Sequence, residues 1–172
     1  MSDLPPAVLP PNLMRPEDMQ RTKQFEGFVP SIYLDTKNKR TIGYGFNIDD
    51  AGVASQLPQD VVSGRRKLKR SEADAIFGKL YVNARVNVSK LVGDKVFNGL
   101  PDDVKYVLTD MSYNMGTTKL GGFKNMLKAV AKNNWSGAAN EMVDSNWYSQ
   151  VGNRSKSLVD TMNSVGKQVG GM

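Results

Sequence analysis

Neither cysteine nor histidine occurs among the 172 residues. Without cysteine there is no disulfide, no thiol nucleophile and no thiolate metal site. Without histidine, imidazole triads, histidine zinc sites and imidazole general bases are excluded. Proton transfer near neutral pH then falls to carboxylates, with Lys and Tyr as lesser substitutes. No metal or organic cofactor is expected. No apolar run approaches the length that spans a bilayer, so stable membrane insertion is not expected. The N-terminus has no basic start followed by an apolar block, so neither is a secretory signal.

What is present is ordinary in bulk: 40% apolar and 23% charged residues, as in a soluble globular protein. The length suits one full core, or two small lobes sharing a long helix. The net charge of +6 and pI of about 9.5 favour polyanions such as nucleic acid, anionic membrane or an acidic cell-wall polymer, or serve solubility alone. The densest basic run is Arg65-Arg66-Lys67-Leu68-Lys69-Arg70. No aromatics interleave with it, so a solvated turn ahead of a helix is the better reading, and no nucleic-acid partner is expected. Asp49 and Asp50 lack the rest of a calcium loop and read as solvated.

Taken in order, residues 1–15 carry Pro5, Pro6, Pro10 and Pro11 and form an extended arm that no regular helix can occupy. Pro16 suits a first helical turn, with Glu17 and Asp18 at its positive end. That helix runs to about Phe25 and presents Glu26 at its edge. Ser71 and Asp74 form an S-x-x-D capping box. Behind it, Ala73, Ile76, Phe77, Leu80, Tyr81, Ala84, Val88 and Leu91 share one face, predicting a helix over about 71–91. Further helices begin at Pro101, with Gly116 as cap, and after Gly121-Gly122. Others span Trp135 to Tyr148 and follow Asn153, leaving a tail at Gly170-Gly171. Met111 and Met115 read as core. The class is α+β: a β-containing lobe over about 26–70, a linking helix over about 71–91, and a helical lobe over about 92–169. A cleft between the lobes is expected to favour binding.

The chain is organised around Phe25 to Asn47. Glu26-Gly27 is followed nine residues later by Asp35, and Thr41 opens Thr41-Ile42-Gly43-Tyr44-Gly45. The spacing predicts a helix end, a short turn, and a strand carrying Asp35. Asn38 marks a hairpin tip, and a second strand covers Arg40 to Gly45. Gly43 and Gly45 weaken a strand and so indicate a bend or a close backbone approach. Two acids across a bend, backed by a hydroxyl, suit sugar cleavage.

These residues resemble the phage-type lysozymes, the muramidases typified by the T-even phage enzyme. The matching set is Glu26-Gly27, Tyr33, Asp35-Thr36 and Thr41-Ile42-Gly43-x-Gly45, in the family's spacing. A second block agrees: Met115-Gly116, Gly122-Phe123, Trp135, and Ser145-x-Trp147-Tyr148-x-Gln150 leading into Asn153-Arg154. The resemblance covers the chain from about Pro16 onward and implies a mostly helical lysozyme-like fold. It implies hydrolysis of the β-1,4 bond between N-acetylmuramic acid and N-acetylglucosamine in peptidoglycan. By position, Glu26 is the general acid, Asp35 activates or orients the attacking water, and Thr41 holds that water. Gly45 and Tyr113 line the sugar cleft, although Tyr113 is equally at home in a core.

The acid must be protonated near neutral pH, which requires burial or apolar neighbours. Phe25 and Phe28 flank Glu26 and offer such surroundings. With a water between sugar and Asp35, the two carboxyl groups lie roughly 6.5–9.5 Å apart and the anomeric configuration inverts. Arg154 matches the family's arginine near the glutamate, where it positions Glu26 and braces the lobes. A close cation there opposes the acid role. Two positions depart from the family. Phe46 stands where relatives often carry His, and Leu80 where its acidic partner would be, so the two are expected to pack together as an apolar replacement. Glu141 replaces an amide that commonly faces the sugar.

The expected activity is that of a monomeric phage endolysin, made in the host cytoplasm and acting in the periplasm after export through a pore made by another protein. A lytic transglycosylase uses one acid without an activated water, and Asp35 with Thr41 argues against it. A wall-binding or virion module of the same fold would not need all three residues.

Overall fold

Pro16 and the acids behind it start α1 (Pro16–Glu26) where the fixed φ of proline and the helix dipole favour them. The computed structural model describes residues 14–170, so the four prolines of the expected arm, and Gly171 of the expected tail, lie outside the described residues. The described residues form two compact units, Met19–Ala84 and 14–18 with 85–170.

The first unit carries the sheet. Strands β1 (Val29–Leu34), β2 (Arg40–Gly43) and β3 (Phe46–Asn47) pair antiparallel in that order. Pro30 sits in edge strand β1, where a missing N–H costs no ladder bond, and the register is irregular between Val29 and Tyr33. Its carbonyl accepts instead from Leu68 N at 2.9 Å. Asn38 holds the hairpin tip at φ 61, a conformation Asn tolerates. The expected second strand stops early. Gly43 and Gly45, at φ 68 and 74, bracket a Tyr44-Gly45 turn that sends Phe46 back as a third strand.

The segment expected to be loop contains two single-turn helices, α2 (Ala51–Ala54) and α3 (Gln59–Val62). Asp50 caps the first of them, accepting from Gly52 N at 2.8 Å. Asp49 pairs with Arg40 at 2.8 Å. The two acids are therefore structural and not merely solvated.

The long helix is α4 (Arg70–Val92). Its N-terminal device lies two residues before the expected capping box: Glu72, not Asp74, reaches back, accepting from Lys69 N at 2.9 Å. Arg66 grips both Glu72 oxygens at 2.9 Å and Asp60 at 2.7 Å. Tyr44 and Phe77 stand edge to face at 5.7 Å, Phe77 stacks on Tyr81 at 5.4 Å, and Tyr44 meets Phe46 at 6.2 Å. Phe46 is fully buried and lies under Gly43, while Leu80 is half-buried on α4.

The second unit is helical: α5 (Asp94–Asn98), α6 (Asp102–Met115), α7 (Thr117–Gly121), α8 (Lys124–Ala131), α9 (Trp135–Val143), α10 (Asn146–Val151) and α11 (Asn153–Gly170). Helix α11 packs on α6 and α9, and α8 on α9. The expected stripe Val104, Val107, Leu108 and Met111 is buried in one cluster with Met126, Trp135, Met142 and Leu158. The single helix expected over Trp135 to Tyr148 is two. Ser145 breaks it by accepting from Tyr148 N and so capping α10. Among the described residues no helix is long and apolar enough to cross a membrane.

Candidate active site

Glu26 ends α1, and Gly27 turns the chain into β1 at φ 70. The half-buried Glu26 carboxylate lies against Gly45 so closely that a Cβ at Gly45 would overlap its Oε1. The absence of a side chain at Gly45 is thus what admits the carboxylate, and its φ of 74 is one that glycine adopts freely.

Asp35 follows β1 and folds the hairpin loop around its own side chain. Its Oδ1 accepts from Lys37 N and from Lys39 N, each at 2.8 Å. Among the described residues Oδ2 takes no hydrogen bond, which leaves one carboxylate oxygen for a ligand or water. Thr41, buried in β2, donates its hydroxyl proton to the Lys39 carbonyl at 2.9 Å. Asp35 N donates to that same carbonyl at 2.9 Å. One peptide oxygen therefore brackets the acid and the hydroxyl. With its proton committed there, the Thr41 oxygen keeps lone pairs that can accept a hydrogen bond.

Tyr33 joins the two ends of the site. It is the cross-strand partner of Thr41 and so shares its face of the sheet. Burial, then the charge of Glu26, then that of Asp35 push its phenol above the ordinary tyrosine value. Sequence reading named Tyr33 as a matching residue without giving it a place in the site. The available signal was its place two residues before Asp35, which lies just past the end of β1 and not on the strand as expected.

The sheet unit holds Glu26, Asp35, Thr41 and Gly45. Phe28, expected beside Glu26, instead packs its ring 5.5 Å from Tyr44 and lies under Arg70 at 4.4 Å. Tyr113 and Arg154 belong to the helical unit. Tyr113 is half-buried on α6. Arg154, on α11, is buried and donates from Nε to Asp110 Oδ1 at 2.8 Å. The other Asp110 oxygen accepts from Tyr106 at 3.2 Å. Asp110 and Tyr106 escaped the sequence reading, since an acid inside an apolar-striped helix shows no partner in the sequence. Glu141 is half-buried on α9. Among the described residues no three His, Cys, Asp or Glu side chains gather as metal ligands.

A family model for phage lysozyme matches residues 23–163. Among curated proteins, the probable T4-type lysozyme 2 of Dictyostelium discoideum is 28% identical over 151 residues, covering 80% of this chain and 88% of its own length. The probable T4-type lysozyme 1 of the same organism is 27% identical over 152 residues, with coverages of 81% and 89%. The match spans the glutamate, the hairpin and most of the helical unit, so the chain belongs to the phage lysozyme family and is a glycoside hydrolase, a muramidase-type cell-wall hydrolase.

Proposed function

We propose that this protein is an endolysin that hydrolyses the β-1,4 bond between N-acetylmuramic acid and N-acetylglucosamine with inversion at the anomeric carbon. Glu26 gives its proton to the glycosidic oxygen as the bond to the anomeric carbon breaks. A water attacks that carbon from the opposite face, donating one hydrogen bond to Thr41 Oγ1 and surrendering its proton to Asp35 through Oδ2. An inverting site of this kind holds its carboxyl groups roughly 6.5–9.5 Å apart. Gly45, Tyr113 and Arg154 are each assigned to substrate binding.

The observation that carries the reading is the Lys39 carbonyl, which holds Asp35 and the Thr41 hydroxyl in one bracket and takes up the threonine proton, leaving its oxygen as an acceptor. Synthesis in a host bacterial cytoplasm, with release to the wall through a pore made by another protein, belongs to the same proposal.

The test is clearing of outer-membrane-stripped Gram-negative cells by the wild type and by Glu26→Gln, with analysis of the glycan ends. Wild-type clearing with new reducing ends, and loss of clearing by at least a hundredfold in the variant, is expected. Equal clearing by both would remove Glu26 from the mechanism, and anhydro ends would make the enzyme a transglycosylase.

A further inference from the structure

Beside the carboxylate site, the sheet unit has a second pocket of about 350 Å³, lined by Gln20, Lys23, Gln24, Phe28, Tyr44, Arg70 and Asp74 together with Gly27. Gln20, Lys23 and Gln24 share one stripe of α1, and Gly27 follows the end of that helix. Glu26, Asp35 and Thr41 are not among its lining residues, so the pocket is distinct from the candidate catalytic residues.

Its charges are unequally engaged. The Tyr44 hydroxyl donates to Asp74 Oδ1 at 2.7 Å, and Lys23 Nζ reaches the same oxygen at 3.2 Å. Lys23 also lies over the rings of Tyr44 and Phe77, at 5.6 and 5.3 Å. Arg70 is different. Its guanidinium is stacked 4.4 Å from the Phe28 ring centre, and among the described residues its one hydrogen bond is a long 3.4 Å contact to Tyr44. No ion pair is formed by Arg70 among the described residues. A planar fork of donors is thus held in place by stacking with most of its capacity unused.

We infer that this pocket binds the terminal carboxylate of a short acylated peptide. With Lys23 and Arg70 positive and Asp74 negative, the pocket has one positive charge to neutralise, which suits a single carboxylate. A doubly charged phosphate would overcompensate that single charge and be repelled by Asp74 more strongly than one carboxylate. The planar guanidinium matches a carboxylate through two parallel N–H···O bonds. Gln20 and Gln24 each carry an amide whose donors and acceptor complement a peptide group. Phe28 supplies an apolar wall for a small side chain. Cell-wall peptides present such termini; only that choice of source rests on the hydrolase reading, because the binding itself is measured without turnover.

The experiment titrates the full-length protein with N-acetyl-dialanine, with its C-terminal amide, and with inorganic phosphate, following backbone and glutamine side-chain amides by NMR. The acid is expected to shift the amides of Gln20, Gln24 and residues around Arg70, and the terminal amide to bind at least tenfold more weakly. Arg70→Gln and, separately, Gln24→Leu on the exposed helix face are expected to weaken the acid at least tenfold and threefold, with melting curves showing each variant folded. Acid and amide binding alike, phosphate binding as tightly as the acid, or unchanged binding in folded Arg70→Gln would each overturn the assignment. Because no outcome depends on glycan cleavage, failure here is separable from failure of the hydrolase mechanism.

Discussion

Asp35 has two tasks that a pair of substitutions separates. Its Oδ1 holds the loop through the N–H groups of Lys37 and Lys39, while its charge belongs to the proposed chemistry. Asp35→Asn keeps an oxygen acceptor and should change stability by less than about 0.5 kcal/mol while turnover falls steeply. Asp35→Ala removes the acceptor as well and should cost about 1 kcal/mol more, since both backbone donors lose their partner. Denaturant unfolding read beside glycan release checks both; an active Asp35→Asn enzyme would restrict the residue to the loop. Gly45 supports a similar comparison. Gly45→Ala imposes both a left-handed backbone and an overlap with Glu26, whereas Gly64→Ala, at φ 79 with open space around it, imposes the backbone alone. Each should lose roughly 1–2 kcal/mol to backbone strain. Only Gly45→Ala should also abolish activity, and equal activity in the two would put Glu26 elsewhere.

Among the elements, the start of α4 is electrostatically the most committed. Hydrogen bonds from Arg66, then from Lys69 N, hold the Glu72 carboxyl at about 2 against its ordinary 4.5. A folded value below the unfolded one means that the group stabilises the fold above pH about 4.5 and loses that contribution as pH falls toward about 2. Wild type should therefore melt above Glu72→Gln at pH 6, with the gap closing between pH 4.5 and 2 in thermal scans; a constant gap would contradict it. This capping also shows where the sequence was readable and where it was not. The stripes from Ala73 to Leu91 and from Val104 to Met115 announced α4 and α6, because apolar residues three and four apart can share a face only in a helix. Ser71 looked like the cap, yet three-dimensional competition decided the matter: Arg66 recruits Glu72, while Asp74 is drawn to Tyr44 and Lys23. The break at Asp144-Ser145 and the turn at Tyr44-Gly45 were hidden for a related reason. Each interrupts an apolar pattern that continues on both sides, and only the cap at Ser145 and the positive φ at Gly45 reveal it. At the site, the acids and the threonine were legible from their spacing. The Lys39 carbonyl was not, because a backbone oxygen leaves no residue signature.

For the molecule as a whole, the helical unit carries a buried ion pair. Asp110 is fully buried, and Arg154 nearly so. Arg154→Met should cost about 3–5 kcal/mol in guanidinium unfolding, because it takes the guanidinium away from a buried carboxylate that also accepts from the Tyr106 hydroxyl. The double change Arg154→Met with Asp110→Leu should recover most of that loss, since an apolar pair can replace an ionic one. A double variant no more stable than Arg154→Met alone would show that the pair is not self-contained. The sheet unit has a different liability. Glu26, Asp35 and Thr41 all fall within one short stretch, joined through a two-stranded ribbon whose tip from Thr36 to Lys39 is exposed. Fraying of that ribbon on warming would silence the enzyme while α6 to α11 still give a nearly full circular dichroism signal, so heat should extinguish lytic power some degrees before it melts the protein.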